Sequence, residues 1–335
     1  MLHMRSVLTF LMLGAGFLPA SSAQDASCLR RTFSVTAVDA VRKPMEGLTP
    51  ADFEARFHGQ PVHILSVAPD NRPRRIVVLL DASASMRGLD HEWQLARAMA
   101  AHIAREGLPN TQVAFILFSE KILEQIDFTQ GKRAVAARLD QIGQQRDFAK
   151  TRVRGRTALL DLILAALRLL DTTTSADVIY AITDGEDNTS RSNKKNVERA
   201  LLAGGVRFYA SLFGPEVGGP GVRIHYGPGV TSPQDIAEMA AATGGGVLGP
   251  VGVTPSGYVN YRLTDEQKRA FSDALQRMYL AMLLNYRVEV EFPQPVKKWS
   301  DWTLRLSSEK RRQFKDAQVS FPSRLAPCAA PASNN

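Results

Sequence analysis

The sequence predicts an α/β fold: a doubly wound, mostly parallel sheet flanked by helices, with β-rich segments at the N- and C-terminal ends. Three observations carry this. Residues 76–80, 113–118, 177–183 and 206–213 are dominated by apolar side chains, as strands covered on both faces must be. Helical patterns separate these runs, so successive strands lie parallel and are joined by right-handed crossovers. Residues 33–38, 286–292 and 302–306 instead alternate with period two, the mark of half-buried strands.

Composition fits such a fold. The chain has 335 residues, 44% hydrophobic and 22% charged, enough to bury a sizeable core. That excludes disordered, collagen-like and multi-span membrane classes. Two cysteines cannot build a disulfide-dense scaffold or a four-cysteine zinc site. Basic residues outnumber acidic ones 41 to 33, for a formal charge of +8.

Taken in order, residues 1–23 read as a signal peptide. A short basic start precedes an apolar stretch, and Ser21-Ser22-Ala23 offers small residues for cleavage after Ala23. Residues 24–73 form an N-terminal β segment, with turns at Lys43-Pro44 and Glu46-Gly47 and a boundary at Arg72-Pro73-Arg74. Residues 74–253 form the α/β domain, with helices over 91–105, 157–170, 193–203 and 233–242 and a closing strand over 247–251. Glycine and proline dominate 214–230, which reads as a mobile surface loop. Residues 254–335 hold a helix over 264–284, capped by Thr264, and a C-terminal β segment ending in a strand over 318–321.

The two ends are expected to pack as one β-rich module with the α/β domain inserted in it. Cys28 and Cys328 flank that module, and lone cysteines of an exported protein usually pair. A bridge between them would be worth about 5 kcal/mol in the loop-entropy account. Two free thiols in frayed ends, or intermolecular pairing, are the alternative.

The chemistry concentrates at Asp81-Ala82-Ser83-Ala84-Ser85-Met86, directly after the first buried run. In open α/β sheets, loops at the carboxyl ends of strands form the ligand crevice. Asp184, in Thr183-Asp184-Gly185-Glu186-Asp187, and Thr157, in Gly155-Arg156-Thr157, share that edge. Carboxylate and hydroxyl oxygens without imidazole or thiolate suit a hard cation, Mg²⁺ first, with Mn²⁺ or Ca²⁺ as alternatives. A blander account makes Ser83 and Ser85 caps of the next helix, Thr157 an N-cap, and Glu186 and Asp187 a solvated loop.

Asp-x-Ser-x-Ser after a buried strand, then a loop threonine, then an aspartate after a later strand, resembles the metal-ion-dependent adhesion site of von Willebrand factor type A domains. The resemblance spans about residues 74–253. It implies that Ser83 and Ser85 bind the metal through their hydroxyls. Thr157 would bind directly in one state and through water in another, and Asp81 and Asp184 would act from close range. A partner protein's Asp or Glu carboxylate would fill the open position. A looser likeness, carried by Val38-Asp39, Pro44, Gly47-Leu48-Thr49, Asp52-Phe53-Glu54, Met278-Tyr279-Leu280 and Asn285-Tyr286, is to exported von Willebrand type A-related proteins described from acidobacteria.

The expected function is therefore metal-bridged protein binding or adhesion, not catalysis, by a protein exported to the periplasm or beyond, with no transmembrane segment after signal cleavage. A Mg²⁺-dependent phosphohydrolase of the haloacid dehalogenase type would want Asp-x-Asp, and Ser83 stands at the second position. No nucleophile–base arrangement of histidines and no Gly-x-x-x-x-Gly-Lys loop is present. A structural envelope component with a non-functional metal site is a third reading. Nucleic acid is not expected, because the basic residues come as scattered clusters such as Arg72 to Arg75 and Lys194-Lys195, read as solvated surface.

Overall fold

The computed structural model describes residues 28–87, 90–106, 110–213, 231–251 and 265–328. The expected signal peptide, the 214–230 loop and Thr264 lie outside these residues. Four strands come first: β1 (Arg30–Val38), β2 (Phe53–Phe57), β3 (Gln60–Pro61) and β4 (His63–Pro69). They lead into β5 (Arg74–Asp81), α1 (Asp90–Arg105), β6 (Thr111–Phe118) and β7 (Ile122–Ile126). Next are α2 (Gly131–Gln144), α3 (Phe148–Arg152), α4 (Leu159–Leu170), β8 (Val178–Thr183), α5 (Lys194–Gly204) and β9 (Arg207–Phe213). The remainder is α6 (Pro233–Ala242), β10 (Gly246–Val251), α7 (Asp265–Leu283), β11 (Tyr286–Glu291), β12 (Ser300–Leu306), α8 (Ser308–Gln313), β13 (Gln318–Ser320) and β14 (Arg324–Leu325).

The apolar runs build a six-stranded sheet in the order β10-β9-β8-β5-β6-β7, parallel except for β7 at its edge. Alternate residues of β5 feed opposite layers. Ile76, Val78 and Leu80 pack under α1, α2, α3 and α7, and Val77 and Leu79 under α4, α5 and α6. Every one of these five side chains is fully buried, which explains why the run shows no polar alternation. Each such burial contributes about 1.5–3 kcal/mol. The strand order reverses direction at β5 and β8, so the crevice of the doubly wound sheet opens between their carboxyl ends.

The period-two segments form two antiparallel four-stranded sheets, β13-β1-β11-β4 and β14-β12-β2-β3. Strands from before and after the α/β layer alternate in the first, and in the second the pair β14-β12 from after it meets the pair β2-β3 from before it. β1 pairs with β11 from Arg30↔Glu291 to Val35↔Tyr286, and β2 pairs with β12 from Phe53↔Leu306 to Phe57↔Trp302. Their inner faces share one apolar core that includes Val35, Phe57, Val288, Phe292 and Trp302. Phe292 meets Phe57 and Trp302 edge-on at 5.3 and 5.4 Å, a favoured aromatic geometry.

No disulfide joins Cys28 to Cys328; both are thiols. They nevertheless sit side by side, with the Cys328 thiol 3.6 Å from the Cys28 carbonyl and Arg31 Nη2 3.4 Å from the Cys328 sulfur. The sulfur of Cys328 is thus engaged by the Arg31 guanidinium and by both the carbonyl and the side chain of Cys28. Among the described residues, no helix is long and apolar enough to cross a membrane.

The basic run Arg72 to Arg75 is not the solvated cluster expected. Arg74 is buried, and its guanidinium donates to Asp70, to the Asn285 side chain and to the Leu283 carbonyl. Arg72 grips the same Asp70 at 2.6 Å, and Arg75 holds Asp177 at 2.6 Å. From β9, the fully buried Arg207 donates to the carbonyls of Ala281 and Met282. Two cations therefore satisfy the last carbonyls of α7, groups that a helix C-terminus leaves unpaired and negatively polarised.

Burial alone would raise the Asp70 carboxyl, but the hydrogen bonds and charges of Arg72 and Arg74 outweigh it and hold the group well below the usual aspartate range. A depressed folded-state pKa contributes stability above the unfolded value, and that stability is lost as pH falls through the folded value. Asp70→Asn should cost about 3 kcal/mol in urea unfolding at neutral pH, because Arg74 keeps its burial and loses its countercharge. The same variant should lose less stability than wild type below about pH 4. Equal acid dependence in the two proteins would show that Asp70 is not the titrating anchor.

Candidate metal-binding site

The carboxyl ends of β5 and β8 lie side by side, with Leu80 opposite Ile182. Asp81 therefore ends one of these neighbouring strands and Asp184 directly follows the other. Asp81 is fully buried and accepts from the Ser83 amide at 2.8 Å and the Thr183 hydroxyl at 2.6 Å. The hydroxyls of Ser83 and Ser85 lie 3.0 Å apart, and Ser85 also hydrogen-bonds Asp184. Four of the five expected residues are thus joined by direct hydrogen bonds. Gly185 makes the turn after Asp184 at φ +81°, where an added Cβ would lie 3.0 Å from both Leu212 and the Pro233 backbone.

Thr157 is brought to the same edge by backbone pairing. The Arg154 amide donates to the Ala82 carbonyl at 2.8 Å, and the Ala84 amide donates to the Gly155 carbonyl at 3.0 Å. The loop that carries Thr157 is stitched in this way to the loop that carries Ser83. Thr157 itself is buried.

Electrostatics test whether these residues suit a cation. The Asp81 carboxyl is pushed above the usual range by burial first and then by the charge of Asp184. Burial also raises Asp184, and hydrogen bonds from Ser85 and from backbone amides offset only part of that. No basic side chain is among the leading influences on either group. Two carboxylates that repel one another in a low-dielectric crevice want a positive charge between them. The hydroxyl spacing agrees, since oxygens on adjacent corners of a Mg²⁺ octahedron with bonds of about 2.1 Å lie about 3 Å apart. Among the described residues, no three His, Cys, Asp or Glu side chains gather to hold a metal. The candidate site offers two carboxylates with hydroxyls beside them.

Residues 76–186 match the family described as von Willebrand factor type A (VWA) domain. Residues 76–186 therefore read as a VWA domain. No curated protein matches the sequence significantly. Among solved structures, the chain is similar to BatB from Bacteroides thetaiotaomicron, at 17% identity and a TM-score of 0.40 over 62% of this chain and 98% of that one. It is similar to proximal thread matrix protein 1 of the mussel byssus, at 16% identity and 0.42 over 64% of this chain and 48% of that one. A VWA protein from Catenulispora acidiphila aligns at 12% identity and 0.42 over 91% of this chain and 75% of that one. Scores and identities this low carry no functional argument.

One part of the VWA domain departs from expectation. Asp187 is not in a solvated loop; it is 3% exposed. Its Oδ2 accepts from the Leu160 amide at 2.7 Å and the Ser190 hydroxyl at 2.6 Å, so it caps the N-terminus of α4 from a distant loop. The next residues hold Thr157. The Asn188 side chain accepts from the Thr157 amide at 3.1 Å, and the amides of Asn188 and Thr189 donate to the Thr157 carbonyl. Thr157 is therefore fixed by the loop that also bears Asp184. Nothing local in the sequence announces this, because the cap and the capped helix lie 27 positions apart.

Two outcomes are expected. A raised folded-state pKa means that ionising the pair at neutral pH costs stability. Asp184→Asn should therefore raise the metal-free melting temperature while removing any stabilisation by added Mg²⁺. A lower metal-free melting temperature would speak against repulsion between the carboxylates. Asp187→Ala should destabilise by about 2 kcal/mol in urea, as loss of an N-cap does, and should weaken Mg²⁺ binding measured by calorimetry. Unchanged Mg²⁺ affinity would show that Thr157 does not depend on this clamp.

Proposed function

We propose that the VWA domain binds a protein partner through Mg²⁺ held by Asp81, Ser83, Ser85, Thr157 and Asp184, the ion meeting an Asp or Glu carboxylate of that partner. The supporting observation is the pair of buried carboxylates, Asp81 and Asp184, placed beside two hydroxyls at the switch point of the sheet and lacking a nearby cation among their main influences. Bound there, the ion would supply a Lewis-acidic position for a carboxylate oxygen, and Mn²⁺ or Ca²⁺ could serve in its place. The residues themselves set up the site. Thr183 and the Ser83 amide orient Asp81. Ser83 and Ser85 present paired hydroxyls, and the Asp187–Asn188 clamp holds Thr157.

Binding is favoured over phosphoryl hydrolysis by what stands two positions after Asp81. Ser83 is 1% exposed and shares a hydrogen bond with Ser85; it offers no carboxyl to act as general acid. The signal-like residues 1–23 support export to the periplasm or beyond. In that reading the domain works as an adhesion or interaction module of the cell envelope.

The test is capture from envelope fractions with Mg²⁺ and with EDTA, comparing wild type with Asp81→Ala and the milder Ser85→Ala. Wild type should retain a partner only with Mg²⁺. Asp81→Ala should abolish that capture, and Ser85→Ala should reduce it while leaving the circular dichroism spectrum unchanged. Capture that survives chelation in wild type would overturn the proposal.

A further inference from the structure

We infer that a basic rim borders the metal site and selects a partner segment bearing several carboxylates rather than one. This rests on the metal-bridged reading above and adds the chemistry of the partner. Residues 146–156 hold five cations, Arg146, Lys150, Arg152, Arg154 and Arg156, against a single carboxylate, Asp147. All five cations are exposed. They are not free to drift as a floppy loop would be. Phe148, Ala149 and Val153, interleaved with them, are buried in the core beneath α1, and Phe148 stacks on Trp93 at 5.8 Å.

The same segment is tied to the metal loop. The two backbone hydrogen bonds between Arg154–Gly155 and Ala82–Ala84 set Arg154 next to the Ser83 loop. Arg87, exposed at the end of the turn that begins with Ser85, adds a further cation next to that loop.

Few of these charges are neutralised. Arg146, Lys150 and Arg154 have no ion-pair partner among the described residues. Arg152 lies 3.9 Å from Glu124, whose carboxylate is already held by Arg138 at 2.7 Å. The Arg156 guanidinium donates to the Asn188 carbonyl and keeps its full charge. The acidic groups close to the rim are Glu120, beside Gly155, and Glu124, beside Arg152.

A single partner carboxylate would be satisfied by the metal alone. The exposed cations then remain available to further carboxylates within a Debye length, about 8 Å at physiological ionic strength. An acidic loop or peptide fits that charge pattern, with one side chain on the ion and its neighbours on the rim.

Fluorescence anisotropy with two synthetic peptides tests this on the full chain. One peptide carries a single aspartate in a neutral Gly/Ser sequence, and the other carries several aspartates around the same position. With Mg²⁺, wild type should bind the multi-aspartate peptide about tenfold tighter, with a steeper loss as salt is added. The variant Lys150→Gln/Arg152→Gln/Arg154→Gln should bring the ratio close to one, with Mg²⁺ affinity and single-aspartate binding unchanged. A ratio near one in wild type, an unchanged ratio in the variant, or no binding of either peptide overturns the rim. The metal reading fails separately: if EDTA leaves binding intact while the variant still lowers the ratio, the rim holds and the ion does not. EDTA-sensitive binding with a ratio of one sinks the rim alone.

Discussion

Everything at the functional edge follows from bringing two like charges together. β5 and β8 pair in parallel, Asp81 ends the first and Asp184 directly follows the second, so their register brings the two into one crevice. A buried pair of carboxylates is costly, and the surrounding loops look built to bear that cost. Thr183 and the Ser83 amide donate to one partner, and Ser85 and the Glu186 amide hydrogen-bond the other. None of these donors carries a full positive charge. The pair is left without a countercharge among these donors, and the proposed cation site rests on that feature.

The opposite edge solves the reverse problem. There the buried charges are cations, Arg74 and Arg207, and the structure supplies carbonyls of α7 together with Asp70 and Asn285 to receive them. Asn285 also accepts from Ser34 of β1, and its carbonyl accepts from the Asp70 amide. One polar knot therefore fastens the parallel sheet, α7 and the β13-β1-β11-β4 sheet together. Removing a single member leaves another buried and unsatisfied, which is why such networks are sensitive to substitution.

The sequence made the central layer legible because burial on both faces leaves a direct trace. Residues 76–80 could hardly be anything but an inner strand, and the aspartate and two serines that follow them are conspicuous. β7 and α2 left weaker traces. β7 is an edge strand of mostly half-exposed residues, so its pattern is not that of a core strand. The roles of Asp187 and Asn188 were hidden for a different reason. A capping carboxylate is visible in sequence only when it sits beside the helix it caps, and this one comes from another loop. The Arg72 to Arg75 run misled because composition records charge and not its partner. Whether an arginine is solvated or locked depends on an aspartate and an asparagine placed by the fold.

The first and last described residues meet at one spot. Cys28 and Cys328 border a cleft with Thr173 to Ser175 and Gly204-Gly205, the turns that precede β8 and β9. This is the amino edge of the parallel sheet, about 26 Å, the length of an eight-residue strand, from the loops around Asp81. A pull on the N-terminal segment would load β1, zipped to β11 over six residue pairs, and a pull on the C-terminal segment would load β14, paired with β12 over two. Mechanical force would be carried by the antiparallel sheets and would bypass the crevice. The crevice between Asp81 and Asp184 lies at the far end of the parallel sheet from the place where these two segments meet.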